Sequence, residues 1–183
     1  MTLPLVDDVV LRPVAVDDAE ALTEAYVRNR EHLRHWDPRR PDDFFTLRGQ
    51  VIRVEDQLEQ RNTGRLMPWV LADGDSVVGC VNLSNIVLGP FRSGSLGYWV
   101  DAAYNGRGLA TAAALAACQV ADERLRLHRI EAGTLLDNVA SQRVLAKAGF
   151  EAIGVAPHYL HIDGSWRDHK LFQRILNERP PGG

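Results

Sequence analysis

The residues with the clearest chemical potential are two glycines that flank an arginine just ahead of an alanine-rich stretch. Gly106 and Gly108 stand on either side of Arg107, and a predicted helix opens with Leu109-Ala110-Thr111. Glycines allow a tight turn and leave backbone N–H groups uncovered where the helix begins. Because a helix N-terminus also carries about half a positive charge, the loop predicts a pyrophosphate site that needs no metal ion.

This loop differs from two common phosphate-binding motifs. It has neither the GxxxxGK[ST] of a P-loop nor the full GxGxxG of a dinucleotide-binding fold. Taken alone, a GxG ahead of a helix is explained equally well by a tight strand-to-helix turn. Both interpretations therefore stay open at this point.

A second pair of useful side chains opens another predicted helix. Asn138 and Ser141 are three residues apart, so their side chains face the same way and could act on one ligand. A purely structural interpretation makes Asn138 an N-cap and Ser141 a first-turn residue that bonds to its own backbone. For Asn138 the two roles are compatible.

The elements that must position these groups follow from hydrophobic periodicity and turn residues. Seven strands are predicted at 9–13, 68–71, 77–88, 94–101, 128–136, 150–155 and 167–176. Four helices are predicted at 18–35, 46–62, 108–124 and 138–147, and the segment 157–166 is predicted to be an irregular connection. This order indicates an α/β fold with a mixed, mostly antiparallel seven-stranded sheet and helices on both faces. One domain over 1–179 is expected, with a disordered tail at 180–183.

Composition excludes several classes of protein. With 183 residues and a net charge of -3, the chain gives no basis for a nucleic-acid-binding surface held by phosphate contacts. Cys80 and Cys118 are too few for a disulfide framework or a metal site, and we expect both to be buried. The start of the chain lacks a signal peptide and no apolar run is long enough for a membrane span, which predicts a cytoplasmic protein.

Three stretches around the glycine loop resemble the GNAT family of N-acetyltransferases. Tyr98-Trp99-Val100-Asp101 precedes the loop, and Asp137-Asn138-Val139-Ala140-Ser141 and Leu145-Ala146-Lys147-Ala148-Gly149-Phe150 follow it. In that family a Q/R-x-x-G-x-G/A loop holds the pyrophosphate of acetyl-CoA. Asn105, just ahead of the first glycine, is the residue expected to take over the contact for which the family usually has Gln or Arg, and the backbone cradle is intact. The order of predicted elements also matches the family over nearly the whole chain.

The resemblance implies a GNAT acyl-CoA N-acyltransferase fold and a binding site for acetyl-CoA. The two parallel strands 94–101 and 128–136 would splay apart, and the pantetheine arm would pair with the backbone of the first. Ser141 would protonate the departing thiolate, and the N–H of Val100 would stabilise the oxyanion. The residues implied to bind acetyl-CoA are Trp99, Val100, Asp101, Asn105, Gly106, Arg107, Gly108, Leu109, Ala110, Thr111, Asn138 and Ser141.

Other stretches resemble the RimJ and RimL branch of ribosomal-protein N-terminal alanine acetyltransferases, and RimJ most of all. They are Asn29-Arg30-Glu31, Trp36-Asp37-Pro38, Ser84-Asn85-Ile86-Val87 with Gly89, and 159–169. The acceptor implied is the N-terminal α-amine of a protein, possibly ribosomal, with a small first residue. Aromatic residues in two connections are expected to bind it: Trp36, Phe45, Tyr159, His161 and Trp166. Acidic residues there, Asp37, Asp42, Asp43 and Asp163, would favour a basic acceptor.

The general base stays open among five residues, Asp101, Glu131, His158, His161 and His169. None of these residues stands out as a general base. This fits an α-amine acceptor better than a lysine, because an α-amine with a pKa of about 8 is partly neutral at pH 7, whereas a lysine with a pKa of about 10.4 is almost wholly charged. One alternative is acetylation of a small amine, an antibiotic or a peptide toxin. Another is a non-catalytic, regulatory acyl-CoA-binding domain. The chain is expected to be a monomer or a homodimer.

Overall fold

The structure is a computed structural model that describes residues 2–181. Within them the α-helices are α1 (Ala19–Arg28), α2 (Arg30–Arg34), α3 (Leu47–Asn62), α4 (Leu109–Glu123) and α5 (Val139–Lys147). The strands are β1 (Leu3–Pro4), β2 (Val10–Pro13), β3 (Met67–Asp73), β4 (Ser76–Val87), β5 (Ser93–Val100), β6 (Arg129–Leu135), β7 (Glu151–Ile162) and β8 (Ser165–Ile175). None of the described helices is long and apolar enough to cross a membrane.

All the strands form one mixed sheet in the order β1-β2-β3-β4-β5-β6-β8-β7. Within residues 2–181, only the central pair, β5 and β6, is parallel, and every other pair of neighbours is antiparallel. The predicted α/β class is confirmed. The sheet has eight strands instead of seven because Leu3 and Pro4 pair with Leu11 and Val10.

Helices cover both faces of the sheet, as predicted. On one face, α4 and α5 pack through alanines and leucines, such as Ala113, Ala117 and Leu145, onto a core that includes Val81 and Leu96. On the other face, α1 and α3 enclose a smaller cluster around Tyr26, Val54 and Cys80. The two faces are called the α4/α5 face and the α1/α3 face below. Both cysteines are free and buried, as expected.

The prediction of an irregular connection over 157–166 is wrong. β7 runs on to Ile162 and pairs with β8, and only Asp163 and Gly164 lie between the two strands. The register is irregular between Ala156 and Leu160, and His158 has a φ of 49°. This interruption hides the two-residue alternation on which strand prediction depends.

The predicted first helix is broken into α1 and α2 at Asn29, whose φ and ψ are -101° and 9°. The other helices lie within one or two residues of their predicted bounds. Pro180 and Pro181 are exposed and belong to no helix or strand. The rest of the predicted disordered tail, Gly182 and Gly183, lies outside the described residues.

Candidate active site

A gap opens in the middle of the sheet where β5 and β6 stop pairing. The two strands are in register only from Ser93 to Ser95, opposite Arg129 to Glu131. Beyond that point β5 continues to Val100 and β6 to Leu135 without pairing with each other. The edges of both strands are therefore open at the centre of the fold, which is unusual because sheet interiors satisfy their backbone groups.

The backbone groups that face this gap belong to alternate residues of β5. Asp101 donates its N–H to Val78 O on β4 at 2.9 Å. Successive residues of a strand point their amides to opposite edges, so Val100 presents its N–H to the gap, and Tyr98 does the same. The backbone of Trp99 faces β4 instead. Its carbonyl oxygen lies 2.5 Å from the position that a Cβ on Gly79 of β4 would occupy. We therefore replace Trp99 by Tyr98 among the residues whose backbone faces the gap.

The glycine loop lies between β5 and α4 and has the geometry of an anion cradle. Gly106 and Gly108 have φ values of 80° and 81°, which non-glycine residues rarely adopt. The N–H groups of residues 106–111 have no acceptor among residues 2–181. A Cβ on either glycine would meet nothing within 4 Å, so the space above the loop is open. Leu109 buries its side chain in the core and fixes the first turn of α4.

Asp101 holds the start of this loop in place. Its carboxylate is buried and accepts hydrogen bonds from Arg28 Nε (2.7 Å), Asn29 Nδ2 (2.9 Å) and the N–H of Ala103 (2.9 Å). Asn29 Oδ1 also accepts from the N–H of Ala102 at 3.0 Å, which ties the break between α1 and α2 to the loop. Burial opposes ionisation, but these donors outweigh it and lower the pKa of Asp101. Asp101 therefore positions the loop, and both of its carboxylate oxygens already accept hydrogen bonds from the protein.

Replacing Asp101 with alanine is expected to lower the free energy of unfolding by about 2–4 kcal/mol, because buried Asn29 loses its partner. The folded-state pKa of Asp101 is lowered, so its contribution is complete above the unfolded pKa of about 3.9 and is lost as pH falls below it. Urea titrations from pH 7 to pH 3 should show the difference from the unmodified protein shrinking below about pH 4. Asp8→Ala, at an exposed position, is the control. A constant difference across this range would contradict the ionic role of Asp101.

Asn138 and Ser141 lie together at the first turn of α5, as their spacing predicts. Asn138 Oδ1 accepts from the N–H of Ser141 at 3.0 Å, so Asn138 is an N-cap. The Ser141 hydroxyl does not bond to its own backbone. Instead its Oγ lies 2.8 Å from the Tyr98 hydroxyl, across the α4/α5 face of the gap.

Sequence reasoning missed Tyr98 as a functional residue. The alternation of β5 places it on the same face as Leu96 and Val100, where it packs on the core. A buried phenol needs a hydrogen-bond partner, and this requirement was the available signal. Burial raises the pKa of Tyr98 to about 12, although the hydrogen bond with Ser141 acts in the opposite direction.

A third hydroxyl, that of Thr134, was also missed. Thr134 lies on the part of β6 that pairs with β8 but not with β5. Its side chain is buried, and Oγ1 has no hydrogen-bond partner among residues 2–181. Successive side chains of a strand point to opposite faces of the sheet, so Thr134 faces the same way as Ala132 and away from the face of Gly133. Ala132 belongs to the core on the α4/α5 face, and Thr134 therefore lies on that face. A buried hydroxyl without a partner costs stability unless a ligand satisfies it.

These observations fit an acyl-CoA. The open cradle suits a pyrophosphate, and the open strand edges suit the amides of an extended pantetheine arm, which would bind like an added strand. Thr134, Ser141 and Tyr98 offer hydroxyls near the inner end of the gap. Among residues 2–181, no three His, Cys, Asp or Glu side chains are grouped as metal ligands.

On the α1/α3 face, two glycines border the gap, and they are called the glycine floor below. Gly97 on β5 and Gly133 on β6 share this face with Trp99. A Cβ on Gly97 would meet nothing within 4 Å, whereas one on Gly133 would touch Tyr159 and His169 at 3.6 and 3.7 Å. The gap is therefore accessible from this side between Trp99 and the aromatic pair of Tyr159 and His169, whose rings are 5.3 Å apart.

An open pocket of about 440 Å³ lies on the same side. It brings together the two segments predicted to hold the acceptor, because Phe45 and Asp163 both line it. Tyr26 also lines it and connects it to β5, since its hydroxyl accepts from Trp99 Nε1 at 3.0 Å. The remaining lining residues are Arg30, Glu31, Leu33, Arg34, Asp37, Pro38, Arg39, Arg40 and Phe44.

The other predicted acceptor residues do not line this pocket. Trp36 packs edge-on against His35, with ring centroids 4.6 Å apart. His161 and Trp166 pair with each other on the β7–β8 hairpin at 5.6 Å, and Trp166 is exposed. Tyr159 borders the gap.

The expected acidic character of the acceptor groove is not observed. Asp42 is paired with Arg30 at 2.6 Å, and Asp37 lies 3.8 Å from Arg40. Burial raises the pKa of Asp37, while Arg40 and Arg53 act against this. Four arginines line the pocket against three acidic residues, which are Glu31, Asp37 and Asp163.

The base candidates remain separate from one another. Glu131 is on the α1/α3 face of β6 and pairs with Arg129 at 2.7 Å. His169 is buried beside the gap, with Nδ1 3.1 Å from Arg167 O. His158 and His161 are exposed on the hairpin. The His169 ring would lie 3.7 Å from a Cβ on Gly133, and Glu131 is two residues before Gly133 on the same face of β6. His35, which was not predicted, contacts Asp137 at 3.2 Å.

Comparison with known proteins gives a consistent result. Residues 8–151 match the model of the acetyltransferase (GNAT) domain. The chain is 35% identical to the [Ribosomal protein uS5]-alanine N-acetyltransferase of Escherichia coli, over 96% of this chain and 92% of that protein. It is 36% identical to the probable N-acetyltransferase YjcK of Bacillus subtilis, over 92% and 94% of the two chains. RimJ of Mycobacterium smegmatis in complex with CoA-disulfide superposes with a TM-score of 0.90 at 32% identity, covering 95% of this chain and 86% of that one.

Proposed function

Because this chain belongs to the GNAT acetyltransferase family, we propose that it transfers the acetyl group of acetyl-CoA to the N-terminal α-amine of a protein. The acceptor that we favour is a ribosomal protein with a small first residue. The observation that carries the proposal is the gap between β5 and β6, which has an anion cradle on one face of the sheet and an open glycine floor on the other.

The donor half of the site lies on the α4/α5 face. Backbone N–H groups of 106–111 would hold the pyrophosphate, and Asn105 and Asn138 would flank the pantetheine arm as it enters the gap. Acetyl-CoA, when bound, supplies a thioester whose carbonyl carbon is open to attack by an amine. Val100 presents its N–H to the gap, where it would stabilise the oxyanion, and Ser141 would donate a hydrogen bond to the departing sulfur. These roles require no metal ion.

The acceptor half lies on the α1/α3 face. A Cβ on Gly97 would meet nothing within 4 Å, so the space over β5 would admit an extended chain terminus there. An α-amine with a pKa of about 8 is partly neutral at pH 7, so a weak base near the gap is sufficient. His169 and Glu131 are the candidates, acting directly or through water. The names of the E. coli and M. smegmatis relatives point to the same class of acceptor.

Phe45, Asp37 and Asp163 line one pocket, and this supports a role for the pocket in binding the acceptor residues that follow the N-terminal amine. Because four arginines line that pocket, we do not expect a preference for basic acceptor sequences. We further propose that residues 1–179 form one catalytic domain, active as a monomer or a homodimer. A ribosomal acceptor would place the enzyme in the cytoplasm.

The acceptor class can be tested with a matched panel of amines. Peptides beginning with Ala, Ser or a bulky residue, each with an internal lysine, are offered with free or acetyl-blocked α-amines beside amino sugars and polyamines. We expect thiol release with free α-amines and small first residues, and at least 100-fold less with blocked peptides, because lysine at a pKa of about 10.4 stays charged. Equal turnover of blocked peptides, or turnover confined to small amines, would refute the proposal.

A further inference from the structure

The Tyr98 and Ser141 hydroxyls form the shortest side-chain contact between β5 and α5, at 2.8 Å. We propose that Tyr98 is a positioning residue for Ser141: its hydroxyl donates to Ser141 Oγ and directs the Ser141 hydrogen into the gap. The inference rests on the acetyl-CoA half of the proposed function and is independent of the acceptor.

The surroundings of Ser141 favour this direction of the hydrogen bond. Its backbone N–H is already used by Asn138 Oδ1 at 3.0 Å, so the N-cap fixes the backbone of the first turn and leaves the hydroxyl free to rotate. Tyr98 is mostly buried, and its pKa of about 12 keeps the phenol protonated and able to donate at any working pH. The alternative acceptor for Tyr98, Ser141 O, is farther away at 3.4 Å. An anion in the gap is also a better acceptor for the Ser141 hydroxyl than a phenol is.

The chemical step then balances as follows. The amine nitrogen forms a bond to the carbonyl carbon, the C–S bond breaks, and its electron pair remains on sulfur. The Ser141 hydrogen bond stabilises that sulfur anion while Tyr98 holds Ser141 in place. The proton that the attacking nitrogen loses finally reaches sulfur, so Ser141 and Tyr98 both end the cycle in their original protonation states.

Binding of CoA tests this proposal without turnover. Calorimetry with CoA and with desulfo-CoA, which lacks the sulfur, is repeated from pH 6 to pH 10 for the unmodified protein, Tyr98→Phe, Ser141→Ala and the double variant. We expect each single variant to bind the thiolate form of CoA about fivefold more weakly, with desulfo-CoA affinity unchanged as the internal control. The double variant should lose no more than Ser141→Ala does, because Tyr98 acts through Ser141.

Steady-state kinetics provide a second readout. Tyr98→Phe should lower kcat about fivefold with no change in KM for acetyl-CoA, and should have no effect in a Ser141→Ala background. If the loss of kcat in the double variant equals the product of the losses in the two single variants, the positioning role of Tyr98 is overturned. An unchanged affinity of Tyr98→Phe for the thiolate form of CoA would overturn it as well. If neither CoA nor desulfo-CoA binds the unmodified protein, the acetyl-CoA half of the proposed function fails and this inference fails with it.

Discussion

Replacing Gly108 with valine is expected to weaken acetyl-CoA binding about 100-fold, or roughly 2.7 kcal/mol, in a protein that still folds. Gly108 is the N-cap of α4, and the space above it is open. A valine side chain would occupy that space and cover the N–H groups that the pyrophosphate needs. Titration calorimetry with acetyl-CoA measures the loss directly.

The substitution also strains the backbone, and this effect must be separated from the loss of binding. Gly108 has a φ of 81°, a conformation that costs a non-glycine residue about 1–2 kcal/mol. Gly64 has a similar φ of 70° and an equally open environment at the end of α3, far from the loop in sequence. Gly64→Val should therefore lose similar stability in urea titrations and keep its acetyl-CoA affinity. If Gly108→Val binds acetyl-CoA as well as Gly64→Val does, the cradle lies elsewhere.

The structural features that sequence reasoning predicted correctly around the candidate site are those that local chemistry determines. The glycine loop, the helix that follows it and the Asn138 cap all depend on residues within one or two turns of one another. Turn and capping preferences act over this range, so their signals survive in a single sequence.

The parts that were missed depend on residues far apart in the chain. Tyr98 meets Ser141 across 43 positions, and Arg28 and Asn29 reach Asp101 across 73 and 72. The assignment of Trp99 failed for a related reason, because the direction of a strand amide depends on which neighbour pairs with it. The arginines that neutralise Asp37 and Asp42 were visible in the sequence, but their pairing was not.

In the proposed function the two faces of the sheet have separate tasks, and these tasks can be tested one at a time. The proposed donor contacts, from the loop at Gly108 to Ser141, are on the α4/α5 face. The acceptor would then approach from the α1/α3 face, over Gly97 and Gly133. A side chain added on the acceptor side should therefore impair the second substrate without affecting the first.

Gly97→Val is accordingly expected to lower kcat/KM for the acceptor peptide about 100-fold while acetyl-CoA affinity changes less than about twofold. The protein should remain folded, because Gly97 lies in an extended strand where valine is favourable and its Cβ would meet nothing within 4 Å. Gly97→Ala, with a smaller side chain, should show an intermediate loss, which distinguishes steric exclusion from an altered sheet. Calorimetry with acetyl-CoA and thiol-release kinetics on the same preparations supply both numbers. Full peptide turnover by Gly97→Val would show that the acceptor does not cross this floor, and an equal loss of acetyl-CoA affinity would show that the two faces are not separate.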